Sequence, residues 1–493
     1  MVEKPEQQTI NALAGLYRSG RFAEAETQAR ELLQAFPEDF QLNDILAGTL
    51  IGQRKVVDAI AAFRRIIELR PGFAEAHCDL GNALAESGQI EEAIESFRKA
   101  IELKSDFAEA HNMLGMALKA IDRLDEAAVS YRRAIELKPG FIPAYNNLAT
   151  VCRPLNRLEE SIAACRTALE HDPRSAEAYY NLGAALQLEG QKEEACEAYE
   201  KAIELGLDLP EAHNAIGGVL RKLGRLPEAI AHFDSAGYGA SKAWALECCY
   251  ELGRVEEFRA RLEDVSRSDP TIVRVASISA FAAQQLGMDN PYPFCRNPLD
   301  CIDISNVKSQ LSPFEDFSAR LVKAIDTAQT VWEPPGYTTV KGHHTMGNLF
   351  AIRAPEIGTL LRVIAGKIDD YRSRYRERTE TFITNWPKHC TLTGWQVQVA
   401  KGGYQKTHNH PGAWLSGVFY VTMPEHLDGD EGGIAFTLRG PGYRVLDPEI
   451  PEVRFSPGEG DLVLFPSSLF HFTIPIRSDG VRRAVAFDLC PRR

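Results

Sequence analysis

Apolar positions along the chain follow two regimes. From residue 6 to about 237 they recur every 34 residues. Leu80, Leu114, Leu148, Leu182 and Ile216 form one column, and Gly81, Gly115, Ala149, Gly183 and Gly217 form the next. Ala25, Ala59, Ala93, Ala127, Ser161, Ala195 and Ala229 extend the period, and Phe63, Phe97, Tyr131, Cys165, Tyr199 and Phe233 follow four residues later. Pro37, Pro71, Pro139 and Pro173 close the units, with Ser105 in the equivalent place of one. The pattern predicts paired helices, with small residues letting the two helices of a hairpin approach and large ones filling the gap to the next hairpin. After Ala236 the period decays. WALECCYELGRVEEFRARLEDVSRSDP predicts a degenerate hairpin and TIVRVASISAFAAQQLG a closing helix, as a stacked array needs at its end. MDNPYPFCRNPLDCIDI is Pro-rich and aperiodic, which predicts a linker laid over the surface. Helical periodicity returns in PFEDFSARLVKAIDTAQ and PEIGTLLRVIAGKIDDYRSRYRER, and from about Phe382 Val-, Phe- and Tyr-rich stretches predict strands to the end. The expected domains are 1–237, a degenerate and capping region 238–287, a linker 288–304 and a mixed domain 305–493.

The candidate chemistry lies in Lys401 to Cys490. On a strand, His408 and His410 would leave the same face while Asn409 points away. A second strand, Asp461 to Pro466, would deliver His471 at its exit, completing a three-point metal site. Imidazole suits Fe, Zn, Cu and Ni. On the final strand Arg482, Ala484 and Ala486 share one face, with two small residues that leave room for a ligand. Arg483, Val485 and Phe487 share the other. A buried Arg on the inner face would grip a carboxylate through its planar fork. Ser416 and Tyr420 share a face of an earlier strand and are candidate polar members of the pocket.

The repeat columns resemble the tetratricopeptide repeat. Gly402 before His408, with Gly460-Asp461 and Pro466 before His471, resembles the metal-binding double-stranded β-helix (jelly-roll) of cupins and Fe(II)/2-oxoglutarate oxygenases. A cupin usually adds a Glu about four residues after HxH, where Ala413, Trp414 and Leu415 stand here. HNHPGAWLSGVFYV, LFPSSLFHFTIP and RRAVAF resemble a family of 2-oxoglutarate/Fe(II) oxygenases. The resemblance covers about residues 305 to 493 and includes TTVKGHHTMGNL. It implies iron at His408 and His471 and 2-oxoglutarate at Arg482. Two positions depart from the pattern. His410 stands where the wider superfamily has a carboxylate, so the third ligand is either His410 or a carboxylate such as Asp428, Asp430 or Glu431. Phe419 stands where family members often have Tyr, so a hydroxyl near the cosubstrate is expected to be missing.

Composition narrows the function. With 493 residues the chain exceeds a single core. A net charge of −13 argues against sequence-independent nucleic-acid binding. Ten cysteines without a CxxC framework, no apolar leader and no run of about twenty apolar residues point to a cytoplasmic protein without a membrane span. Asn112, Asn146 and Asn214 recur at one repeat position and Asn147 and Asn181 at the next. Such amides, on a concave face, would hold a peptide backbone without reading its side chains. His77, His111 and His213 sit in the packing column and are read as structural. The sequence thus predicts an all-α repeat solenoid followed by a double-stranded β-helix with flanking helices. The expected activity is an Fe(II)/2-oxoglutarate-dependent dioxygenase that uses O2 to hydroxylate a protein or peptide recruited by the repeats. The alternative is a non-catalytic repeat scaffold carrying a cupin-like or degenerate metal-binding barrel.

Overall fold

The computed structural model describes residues 5–207, 209–334 and 336–492. It divides into two compact units, Met1–Leu223 and Gly224–Arg493.

The first unit is a helical solenoid, from Gln7–Arg18 to Pro210–Lys222. The glycine column explains its hairpins. A Cβ at Gly81, Gly115 or Gly183 would fall 2.6, 2.6 and 2.8 Å from the rings of Phe97, Tyr131 and Tyr199. The aromatic of the second helix therefore rests on the glycine of the first helix in the same hairpin, rather than reaching toward the next hairpin as the sequence suggested. Consecutive hairpins are also tied by repeated ion pairs, Arg64–Glu92, Arg98–Glu126, Arg132–Glu160 and Arg166–Glu194. They are solvent-exposed or nearly so, and each contributes only tenths of a kcal/mol, up to about 1.

The second unit opens with the helices Leu226–Ala236, Gly239–Glu251, Val255–Ser268 and Val273–Leu286. Ten strands follow among the described residues: β1 Asp303–Asn306, β2 Thr330–Trp332, β3 Thr339–Thr345, β4 Cys390–Gln405, β5 Leu415–Thr422, β6 Ile434–Thr437, β7 Glu452–Phe455, β8 Asp461–Pro466, β9 Phe470–Thr473 and β10 Arg482–Pro491. Seven form a sheet in the order β1-β8-β5-β10-β4-β3-β2, and three form a sheet in the order β7-β6-β9. Neighbouring strands in both are antiparallel. Val418, Tyr420, Val463, Phe465, Ala484 and Ala486 of the large sheet share one buried core with Ile434 and Phe436 of the small one. Antiparallel alternation puts one face of β5, β6, β8 and β10 into that core. The helices Phe314–Ile325 and Pro355–Arg374 flank the sheets as expected.

Two local expectations change. Strands begin at Asp303 rather than near Phe382, which instead lies in the short helix Thr381–Thr384. The stretch read as a surface linker is anchored inward: Tyr292 and Phe294 are fully buried. Phe294 packs on Trp414 and Phe382 at ring separations of 4.9 and 5.5 Å, and Tyr292 Oη donates to the carbonyl of Asp269. Proline spacing signalled an irregular backbone there, but the aromatic side chains supply the burial. No helix among the described residues is long and apolar enough to cross a membrane.

Candidate metal centre

β4 ends at Gln405, so His408 and His410 lie just beyond it rather than on a continuous strand. His408 is pinned by a two-way backbone bridge to His471: its N–H donates to the His471 carbonyl at 3.0 Å, and the His471 N–H returns the bond at 2.9 Å. The His410 N–H donates to the Ser467 carbonyl at 3.1 Å. His471 belongs to β9 of the small sheet, not to the exit of β8. The His408 and His410 rings nevertheless meet on one side, and Asn409 bonds elsewhere, to Ser277.

The three rings converge. Centroid separations are 5.1 Å for His408–His410, 4.3 Å for His408–His471 and 5.2 Å for His410–His471. Each offers a nitrogen, and these nitrogens all lie within 4.8 Å of one another. Their Nδ1 atoms face acceptors. His408 Nδ1 lies 2.7 Å from the Lys406 carbonyl, and His471 Nδ1 lies 3.4 Å from the Leu469 carbonyl. His410 Nδ1 donates to Asp488 Oδ2 at 2.8 Å. Hydrogen on Nδ1 leaves Nε2 with its lone pair, the form a metal requires. Burial, reinforced by the neighbouring His410, pushes the His408 pKa down to about 4. Burial first, then His408 and His410, holds His471 well below the usual histidine range. Both rings are therefore neutral at neutral pH.

Asp488 and its partners complete the setting. Ser416 Oγ donates to Asp488 Oδ1 at 2.6 Å and lies 3.0 Å from Ser467 Oγ. Trp395 stacks on His410 at 5.5 Å. Sequence reading missed Asp488, although it shares the parity of Arg482, Ala484 and Ala486; the pairing Ser416↔Asp488 across β5 and β10 shows the shared face. Ser416, expected in the pocket, is there but spends its hydroxyl on Asp488. Asp430 and Glu431 do not approach the histidines: Asp430 pairs with Arg454, and Glu431 accepts from Ser478 and the backbone of Arg477. Together with Asp428 they line a separate depression.

Arg482 lines the same small cavity as the three histidines, together with Trp395, Val418, Ile434 and Phe465. It is 1% exposed, and its Nε and Nη1 are buried without a hydrogen-bond partner. Its guanidinium carbon lies 4.9 Å from the centre of the Tyr420 ring, and the Tyr420 hydroxyl is likewise buried without a partner. Arg483 points away and pairs with Asp326 at 2.9 Å. Phe419, facing Leu462 and Val485, is fully buried, whereas Tyr420 pairs with Ala484 and joins the inner core. Phe419 thus leaves no gap: a hydroxyl is present beside Arg482 on Tyr420, the candidate pocket residue one position along. A buried cation with no anionic partner is costly, and the donor set suits a carboxylate.

In the first unit the asparagine columns are more enclosed than a groove lining. Asn112, Asn146 and Asn181 are each 3% exposed. Asn147 Nδ2 donates to Asn112 Oδ1 at 3.0 Å, while Asn146 Oδ1, Asn181 Nδ2 and Asn214 Oδ1 have no partner.

Comparison with known proteins fits this division. Residues 15–72, 62–95, 81–122, 108–141, 141–207 and 189–243 match models of the tetratricopeptide repeat. The N-terminal part of the chain is a tetratricopeptide repeat array. Residues 393–488, which hold every residue of the histidine and Arg482 cluster, match the family described as "Putative 2OG-Fe(II) oxygenase". Similar solved structures include MamA, 28% identical, TM-score 0.31, covering 32% of this chain and 94% of that one. YrrB, described as a TPR protein with an unusual peptide-binding site, is 24% identical with TM-score 0.33, covering 37% and 95%. PilF of Pseudomonas aeruginosa is 20% identical with TM-score 0.37, covering 42% and 97%. No curated protein matches the chain.

Proposed function

We propose that the second unit is an Fe(II)/2-oxoglutarate-dependent dioxygenase built on a double-stranded β-helix, acting on a protein or peptide held by the repeats. The single observation that carries this reading is the buried Arg482, with no carboxylate beside it and its Nε and Nη1 without hydrogen-bond partners, in one cavity with three converging imidazoles. His408, His410 and His471 would hold the iron, and Arg482, with the Tyr420 hydroxyl beside it, would bind the distal carboxylate of 2-oxoglutarate. Bound there, iron with 2-oxoglutarate and O2 supplies the oxidising power for hydroxylation, leaving succinate and CO2.

The chain's own residues orient and shield. Asp488 fixes the His410 tautomer and ring orientation by accepting the Nδ1 hydrogen. Trp395 holds the ring plane. Val418, Ile434 and Phe465 close the cavity with apolar surface, which strengthens the Arg482–carboxylate attraction by excluding water. Asn112, Asn146, Asn147, Asn181 and Asn214 are the proposed contacts to a peptide backbone; the atoms without partners would be satisfied by it after side-chain rotation. Mass spectrometry of proteins captured by the full chain tests the substrate class. The reading expects 2-oxoglutarate-dependent shifts equal to one added oxygen, and their absence from every captured protein would count against a protein hydroxylase. A second reading, a repeat scaffold with a metal-binding barrel that does not turn over, is favoured by His410 at the position of the usual carboxylate.

A further inference from the structure

The segments that carry the histidines are tied together from outside the sheets. Asn409, between His408 and His410, turns its side chain away from the cluster, and its Nδ2 donates to Ser277 Oγ at 2.8 Å. Ser277 belongs to the helix Val273–Leu286, 132 residues earlier in the chain. The same hydroxyl donates to the Ser468 carbonyl at 2.7 Å, a shorter contact than its alternative within the helix, the Val273 carbonyl at 3.2 Å. Ser468 lies between Ser467, whose carbonyl receives the His410 N–H, and His471. One buried hydroxyl therefore spans both ligand-bearing segments, accepting from one and donating to the other. The helix is held to the sheets elsewhere as well. Gln285 Oε1 accepts from the N–H groups of Leu446 and Asp447 at 2.6 and 2.9 Å, and Gln285 Nε2 donates to the Asp447 carbonyl at 2.8 Å.

We infer that Ser277 is a positioning residue of the metal centre, setting the separation of the 408–410 and 467–471 segments through Asn409 and Ser468. The helix that the sequence suggests as a cap for the repeats is on this view a working part of the site. The inference rests on the metal-centre reading for its effect on affinity, but the tie itself is independent of any ion. Loss of a group that orients ligands weakens metal binding by roughly ten- to a hundred-fold.

The test uses the full chain and Co(II) as the probe. Ser277→Ala and Asn409→Ala should each weaken Co(II) binding by roughly ten- to a hundred-fold. The double variant should be no weaker than Ser277→Ala alone, because that substitution already removes the bond from Asn409. Ser277→Thr, which keeps the hydroxyl, should recover affinity. Ser279→Ala serves as the structural control: it lies in the same helix, is fully buried, and bonds to Asn290 instead. It should leave Co(II) affinity unchanged. In the metal-free chain, amide hydrogen exchange across 406–411 should rise in Ser277→Ala and Asn409→Ala but not in Ser279→Ala. Wild-type affinity and exchange in Ser277→Ala, or equal losses in Ser277→Ala and Ser279→Ala, would overturn the assignment. If the wild-type chain takes up no Co(II) yet exchange rises only in the Ser277 and Asn409 variants, the tie stands and the metal reading fails.

Discussion

Asp488 Oδ2 accepts a hydrogen bond from His410 Nδ1 at 2.8 Å, while its other oxygen takes the Ser416 hydroxyl at 2.6 Å. The carboxylate that is missing from the HxH position thus stands one layer behind it, acting on the imidazole rather than in place of it. Asp488→Asn should keep the fold and weaken metal binding by roughly ten- to a hundred-fold. Co(II) titration of the variant reads this directly; an affinity equal to wild type would make Asp488 a packing residue only.

The ligand set makes a sharper demand. His408→Ala or His471→Ala should abolish metal uptake while leaving circular dichroism unchanged, and full metal occupancy in both single variants would remove them from the site. His410→Asp restores the commoner two-His-one-carboxylate set and should retain metal. A folded His410→Asp protein without metal would place His410 outside the ligand set.

Arg482 and Arg483 are neighbours with opposite environments, one buried without an ion-pair partner and one paired to Asp326. Arg482→Ala should weaken 2-oxoglutarate binding by about 2–4 kcal/mol, the cost of leaving a buried carboxylate without its charged partner. Arg483→Ala should change it by less than about 0.5 kcal/mol. Tyr420→Phe should cost about 0.5–1.5 kcal/mol, the worth of one neutral hydrogen bond. Calorimetric titration of the metal-loaded chain ranks the three, and a larger effect at Arg483 would reverse the assignment.

Dividing the chain tests where the site ends. A fragment starting at Gly224 keeps the helix Val273–Leu286 and should retain metal and 2-oxoglutarate binding. A fragment starting at 305 lacks Ser277 and should bind metal more weakly. Changing Asn112, Asn146 and Asn147 together to Ala should raise the KM for a peptide substrate without altering cosubstrate affinity. If the Gly224 fragment turns over that substrate as well as the full chain does, the repeats do not recruit it.

What was legible in the sequence follows from the range of each signal. The 34-residue columns, with Gly81 against Phe97, report local hairpin packing and so mark the solenoid. Period-two parity placed Arg482 inward and Arg483 outward, because alternation holds along β10. The same rule put Tyr420, a candidate pocket residue beside Ser416, on the inner face, where its ring meets Arg482. Asp488 was reachable by parity but not by motif. Ser277 was not reachable, since its two partners lie 132 and 191 residues away and nothing local distinguishes a helical serine that spans them. The linker reading failed similarly: Tyr292 and Phe294 are buried by partners remote in sequence.

The central claim is that one cavity binds iron and 2-oxoglutarate together and uses them. The most direct measurement is succinate formed from 2-oxoglutarate by the Fe(II)-loaded full chain under O2, compared with Arg482→Ala and His471→Ala. The account predicts O2-dependent succinate above the protein-free rate in the wild type and none above that rate in either variant. Succinate at the same rate in all three proteins, or in none of them when a captured substrate is supplied, would contradict it.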